Sequence, residues 1–205
     1  VAFMSDRNSA VTVYWKLADG TGAEEELLRV PGSHNILMDS FSPDGKLLVY
    51  SDSDPTTGDD LWLLPVTGDR KPQVFLRTPF NEWGGVVSPD GKWISYASNE
   101  SGRAEVYVQA FPGPGGKVQI SMEGGRAARW AHNGRELFYR TGRKMMVVAY
   151  STSPNFAPQT PKLLFEGNFL EALNYSVAPD DQRFAMIRSD EQEGTPRQLN
   201  VVVNW

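Results

Sequence analysis

Apolar residues along this chain fall in short runs, and polar turn sequences separate the runs at near-constant intervals. The stretch Val87-Ser-Pro-Asp-Gly-Lys-Trp-Ile-Ser-Tyr-Ala97 shows the unit, a tight turn followed by an alternating run. Variants of the turn recur at Ser42-Pro-Asp-Gly45, Ala131-His-Asn-Gly134 and Ala178-Pro-Asp-Asp181. Each leads into an apolar run: Lys46 to Tyr50, Glu136 to Tyr139, Arg183 to Ile187. The first turn positions lie 46, 43 and 47 residues apart. Proline presets φ for the second position of a type I turn, serine suits the first, and glycine accepts φ > 0 at the exit. The motif therefore joins antiparallel strands. In the variants, Asn133-Gly134 is a strong turn pair, and Asp181 tolerates the left-handed conformation better than most residues. The run after Gly91 is apolar on both faces, as a strand between stacked sheets must be. A period in the forties made of short strands is the signature of a β-propeller, one blade per repeat.

The pattern predicts almost no helix and eighteen strands. Val1 to Met4, Val11 to Trp15 and Glu26 to Val30 form a partial blade over 1–32. Three full blades follow over 33–77, 80–122 and 125–166. Their strands are Ile36 to Phe41, Leu47 to Ser51, Asp59 to Leu64 and Gln73 to Leu76; Gly84 to Val87, Trp93 to Ser98, Glu105 to Phe111 and Lys117 to Ser121; Ala127 to Trp130, Glu136 to Arg140, Lys144 to Tyr150 and Lys162 to Phe165. A second partial blade covers 170–205, with Asn174 to Val177, Phe184 to Arg188 and Leu199 to Trp205. A six-bladed ring at ~45 residues per blade needs roughly 270 residues. The expectation is therefore an incomplete single propeller domain, with upstream chain completing the ring.

Composition narrows the function classes. The 205 residues can bury a sizeable core. A net charge of −5 argues against a nucleic-acid partner. With no cysteine there is neither a disulfide framework nor a thiolate metal site. No apolar run reaches the ~18 residues of a membrane span, so no membrane insertion is expected within this segment.

Longer strings resemble a known group. The repeats resemble TolB-type propeller repeats. More specifically, the chain is similar to the C-terminal propeller of bacterial membrane-anchored serine/threonine protein kinases. The residues that carry this are Leu61-Trp-Leu-Leu-Pro-Val-Thr-Gly-Asp-Arg-Lys-Pro72, Thr78-Pro-Phe-Asn-Glu82, Ser98-Asn-Glu-Ser-Gly102, Glu105-Val-Tyr-Val-Gln-Ala-Phe-Pro-Gly-Pro-Gly-Gly116, Gly134-Arg-Glu-Leu-Phe-Tyr139 and Leu199-Asn-Val-Val-Val-Asn-Trp205. The resemblance implies a sensor or interaction module outside the cytoplasm. It includes no kinase machinery, since neither a Gly-rich loop nor a His-Arg-Asp loop is present. Two other readings stay open: the substrate-filtering propeller of a prolyl-oligopeptidase-like peptidase, and a TolB-like periplasmic adaptor.

Candidate chemistry is sparse. There is no Gly-x-Ser-x-Gly, and His34 and His132 are the only histidines, so a Ser-His-acid triad has little material. The reading is non-enzymatic, with no catalytic residue, metal or cofactor. His132 fills a turn slot. Asp59-Asp60 and Asp180-Asp181 read as turn and capping residues, and Glu24 to Glu26 as a solvated strand edge. Trp62, Trp93 and Trp130 read as packing between blades, whereas Trp15 and Trp83 are left open. The candidate ligand site is a channel mouth lined by His34, Glu82, Arg126, Arg129 and Asn174, suited to a protein or a small polar ligand.

Overall fold

A computed structural model describes residues 1–7, 11–30, 35–113, 115–153, 155–170 and 175–188, together with the backbone of 199–203. All regular structure among them is β. The chain divides into two compact units, Val1–Trp83 and Gly84–Trp205.

The first unit contains two antiparallel meanders. Strands β1 (Ala2–Ser5), β2 (Thr12–Trp15) and β3 (Glu25–Arg29) form a three-stranded sheet. Strands β4 (Ile36–Phe41), β5 (Leu47–Asp54), β6 (Gly58–Pro65) and β7 (Gln73–Leu76) form a four-stranded one. The two sheets share a core: Val13, Leu27 and Leu28 pack with Ile36, Leu48, Tyr50, Leu64 and Val66.

The second unit continues the pattern. Strands β8 (Glu82–Val87), which begins at the end of the first unit, β9 (Trp93–Ser98), β10 (Glu105–Ala110) and β11 (Lys117–Gln119) pair in chain order. Strands β12 (Arg126–Trp130), β13 (Glu136–Thr141) and β14 (Lys144–Ser151) follow; β15 (Ala157–Pro158) and β16 (Lys162–Glu166) both pair with β14. The last sheet has β17 (Tyr175–Val177), β18 (Arg183–Ile187) and β19 (Leu199–Val203). Val106, Val108 and Ile120 pack with Ala128, Trp130, Leu137 and Tyr139. On the other face of the β12–β16 sheet, Ala127, Phe138 and Met145 pack with Tyr175, Phe184 and Met186. Sheets buried on both faces explain why the central strands read as nearly continuous apolar runs.

The repeat extends to side chains. Directly opposed residues are Phe3 and Tyr14 on the first two strands of the first sheet, and Tyr50 and Trp62, Tyr96 and Tyr107, then Tyr139 and Met146 on the second and third strands of the next three. The first three pairs stack, with ring centroids 5.8, 6.2 and 5.9 Å apart. Such cross-strand pairs contribute roughly 0.2–1 kcal/mol each.

Observed strands depart from the expected ones mainly at hairpin tips. β5 and β6 extend to Asp54 and Gly58 through polar residues. β15 is an additional strand beyond the eighteen expected, and it divides the outer edge of its sheet with β16. The expected ends at Asn174 and Trp205 lie outside the described residues.

Candidate functional site

The turns build one end of each sheet. In Ser42 to Gly45 and again in Ser88 to Gly91, the serine hydroxyl donates to the aspartate Oδ1, at 2.6 Å in both. That oxygen also accepts the amide of Lys46 or Lys92. The serine Oγ in turn accepts the amide of Leu47 or Trp93. The last turn keeps Asp180 Oδ1 on the Gln182 amide, while Asp181 takes φ 58° in the glycine position.

The opposite end is pinned by buried charge. Asp60 Oδ2 accepts from Thr57 and from Arg77, at 2.7 and 2.8 Å. Glu105 accepts from Ser121, from the Gly124 amide and from Arg103. Arg140 donates to the carbonyls of Leu170, Phe169 and Gly142. In each case a buried charge near a hairpin ties down the chain leaving the outer strand. These contacts compensate the buried charges, although Asp60 Oδ1 has no hydrogen-bond partner among the described residues.

At the turn end of the second unit, Val86, Val87, Pro89, Arg129, Trp130, His132, Ser176 and Val177 enclose a cavity of about 380 Å³. It lies between the inner strands β8, β12 and β17. The Trp130 indole N–H donates to Val86 O across the first two at 2.8 Å. A bulge in β12 pairs Arg126 with Arg140 but Arg129 with Phe138. Ala127 absorbs it at φ 55°, the place that Gly84 fills in β8 at φ 69°. The extra residue brings Arg126 and Arg129 to the same face, since their partners on β13 are two apart. Arg129 lies over the Tyr175 ring at 5.8 Å from its centroid and donates to Ala128 O. Among the described residues it has no carboxylate partner. Tyr175 is buried beneath it, and burial pushes its hydroxyl well above the usual range. His132 is half exposed and held by Asp181 through Nδ1.

Of the five residues expected to line a channel mouth, Arg129 lines this cavity. Arg126 is exposed at the start of β12. Glu82 is buried and accepts the Thr78 hydroxyl at 2.6 Å. His34 and Asn174 lie outside the described residues. Sequence reasoning assigned His132 only to a turn and did not single out Ser176. Trp130 is buried as expected, while Trp62 and Trp93 are half-buried against the cores. Glu24, Glu25 and Glu26 are exposed and pair with Arg7, Arg70 and Arg29.

No family profile matches the chain, and no curated protein matches it. Solved structures do. TolB from Acinetobacter baumannii superposes with a TM-score of 0.73 at 18% identity, over 98% of this chain and 48% of that one. The fold is a β-propeller. A putative TolB from Agrobacterium tumefaciens matches with a TM-score of 0.63 at 16% identity, over 81% of this chain and 61% of that one. A putative 6-phosphogluconolactonase from Bacteroides uniformis matches at 0.59 and 16%, over 98% of this chain and 67% of that one. The chain thus spans about half to two thirds of the length of these propellers. Proteins with unlike names share the architecture, so function must be argued from the site.

Proposed function

We propose that this chain is a non-enzymatic binding propeller, and that it forms the sensor or interaction region of a bacterial serine/threonine-kinase-like protein outside the cytoplasm. The kinase assignment and the compartment rest on the long matching strings, from Leu61 to Pro72 and from Glu105 to Gly116. The binding role rests on Arg129: a guanidinium without a carboxylate partner among the described residues, lining a cavity with an aromatic wall. Pockets that combine an apolar lining with a few convergent polar groups are the usual ligand sites. A guanidinium there selects a planar anion, which it can grip through two parallel hydrogen bonds. The free carboxylate at a peptide end fits, and Arg126 on the same face adds a second positive charge. A periplasmic adaptor of the TolB kind would use the same chemistry on a protein partner.

The His132 ring is held by Asp181 through Nδ1, and among the described residues no hydroxyl hydrogen-bonds its second ring nitrogen.

The test is a titration with short peptides whose C-termini are free or amidated, followed by tryptophan fluorescence. Free carboxylates should bind at least tenfold tighter than amides, and Arg129→Gln should abolish the difference. Equal binding of both forms, or an unaffected variant, would overturn the reading.

A further inference from the structure

A second cavity, in the first unit, has the opposite electrostatic character. It measures about 220 Å³ and sits where β4, β5 and β6 meet the segment from Asn81 to Trp83. Trp83 and Leu37 give it apolar walls, while Asn35, Ser51, Ser53, Asp59 and Asn81 supply polar atoms. Among the described residues none of its lining side chains is basic.

The local hydrogen bonds decide which polar atoms remain for a ligand. A serine hydroxyl has one hydrogen to give. Ser51 gives its hydrogen to Asp39 Oδ2 at 2.6 Å, and Ser53 gives its own to Asp59 Oδ1. Both therefore turn lone pairs toward other partners. The Asp59 amide is taken by Asn81 Oδ1 at 3.0 Å. Gly58 makes this approach possible: at φ 89°, a Cβ there would lie 2.1 Å from Asn81 Oδ1. The Asp59 carboxylate is an acceptor only, and among the described residues it forms no ion pair.

Asn35 and Asn81 bring amide donors as well as acceptors, so charge decides the ligand: the Asp59 carboxylate beside an indole favours a cation. Ammonium and guanidinium groups are such cations, with three and five donors and no acceptor. An indole face adds cation–π attraction, about 0.5–1 kcal/mol where exposed and more when desolvated. An anion would meet the Asp59 carboxylate, which forms no ion pair among the described residues. A neutral sugar would find acceptors and the asparagine donors but would leave the Asp59 charge uncompensated. We infer that this cavity is a receptor for a cationic side chain, a lysine or arginine of a protein partner. This rests on the reading of the chain as a binding module, but it concerns a different unit and a different ligand charge from the Arg129 cavity.

The probe is butylguanidinium, titrated into the folded chain while the indole N–H resonances are followed by NMR. The neutral shape analogue butylurea and glucose serve as separate arms. The Trp83 indole, assigned from Trp83→Leu, should shift saturably with butylguanidinium and not with the other two. Asp59→Asn keeps the shape and one acceptor while removing the charge; it should weaken binding at least tenfold with an unchanged circular dichroism spectrum. Should that variant fail to fold, Trp83→Leu carries the comparison, with at least a threefold loss measured by calorimetry. The inference is overturned by equal shifts with butylurea, by binding of glucose alone, by undiminished affinity in the variants, or by no shift at all. Failure here leaves the carboxylate preference at Arg129 to be measured independently, and the reverse also holds.

Discussion

Asp181 accepts hydrogen bonds from both the amide and the Nδ1 of His132, at 2.7 and 2.8 Å. Its other oxygen takes the Asn133 amide at 2.9 Å. Each residue departs from the turn pattern of its own repeat, and the departures complete one another. Where the other turns carry proline, His132 has an N–H. Where they carry glycine, Asp181 supplies a carboxylate, at the cost of a positive φ.

The consequence is energetic coupling. Asp181→Gly restores the usual turn residue and relieves backbone strain, yet it should destabilise the protein by about 1–2 kcal/mol, because hydrogen bonds to a charged acceptor contribute about 1.5–3 kcal/mol each. His132→Pro removes one donor and restores the turn proline. In that background Asp181→Gly should cost at least about 1 kcal/mol less, as expected for residues in one network. Urea denaturation of the four proteins measures the cycle; additive effects would contradict the coupling.

The same pair sets an acid limb of stability. Burial by itself raises the Asp181 carboxyl, but the amides of His132 and Asn133 and the imidazole together hold it below the usual carboxylate range. A carboxyl depressed in the folded state stabilises above its unfolded pKa, about 3.9, and that stability is lost as pH falls through the folded value. Asp181→Asn should therefore narrow its stability gap from the parent protein as pH drops below about 4. Melting temperatures between pH 7 and pH 2.5 test this.

Alkali acts on the tyrosines. Burial pushes Tyr139 and Tyr150 up to about 12, and it moves Tyr50 and Tyr175 upward still further. For an acid raised on folding, the stabilisation is complete below the unfolded value near 10 and is lost as pH rises through the folded one. Stability should fall between about pH 10 and pH 12, and tyrosinate absorbance should lag behind that of the unfolded chain.

Glu105 tests the pinned hairpins. Glu105→Ala leaves the Ser121 hydroxyl and the Gly124 amide without their acceptor and should cost about 3 kcal/mol or more. Arg103→Ala removes the exposed partner of the same carboxylate and should cost less than about 1 kcal/mol. Gly125→Ala should fall between them, because its Cβ would lie 2.3 Å from Ser121 Oγ. Denaturant midpoints give the order.

The architecture was legible because turn and strand chemistry are local. Proline and glycine mark each Ser-Pro-Asp-Gly, and the runs after them can only be buried strands. What escaped was set by non-local pairing or masked by local signals. β15 carries Pro158 between Pro154 and Pro161, so its two bridged residues read as loop. The polar tips of β5 and β6 carry Ser53 and Asp59, which line the cavity beside Asn81. Arg129 could be placed from its position at the end of an inner strand. The coupling of His132 to Asp181 could not, since 49 residues separate them and only the stacking of two sheets brings them together. Asp59 looked like a capping residue and does hold Ser53, but its place beside Trp83 depends on a strand of the next repeat.

The central claim, that this propeller binds through its inner strands, is tested most directly by mapping amide shifts while a peptide with a free C-terminus is titrated into the chain. Saturable shifts should cluster at Val86 to Ser88, Arg129 to His132 and Ser176 to Val177, and Arg129→Gln should remove them. Shifts confined to the outer strands β7, β11 and β16, or the same pattern in the variant, would contradict it.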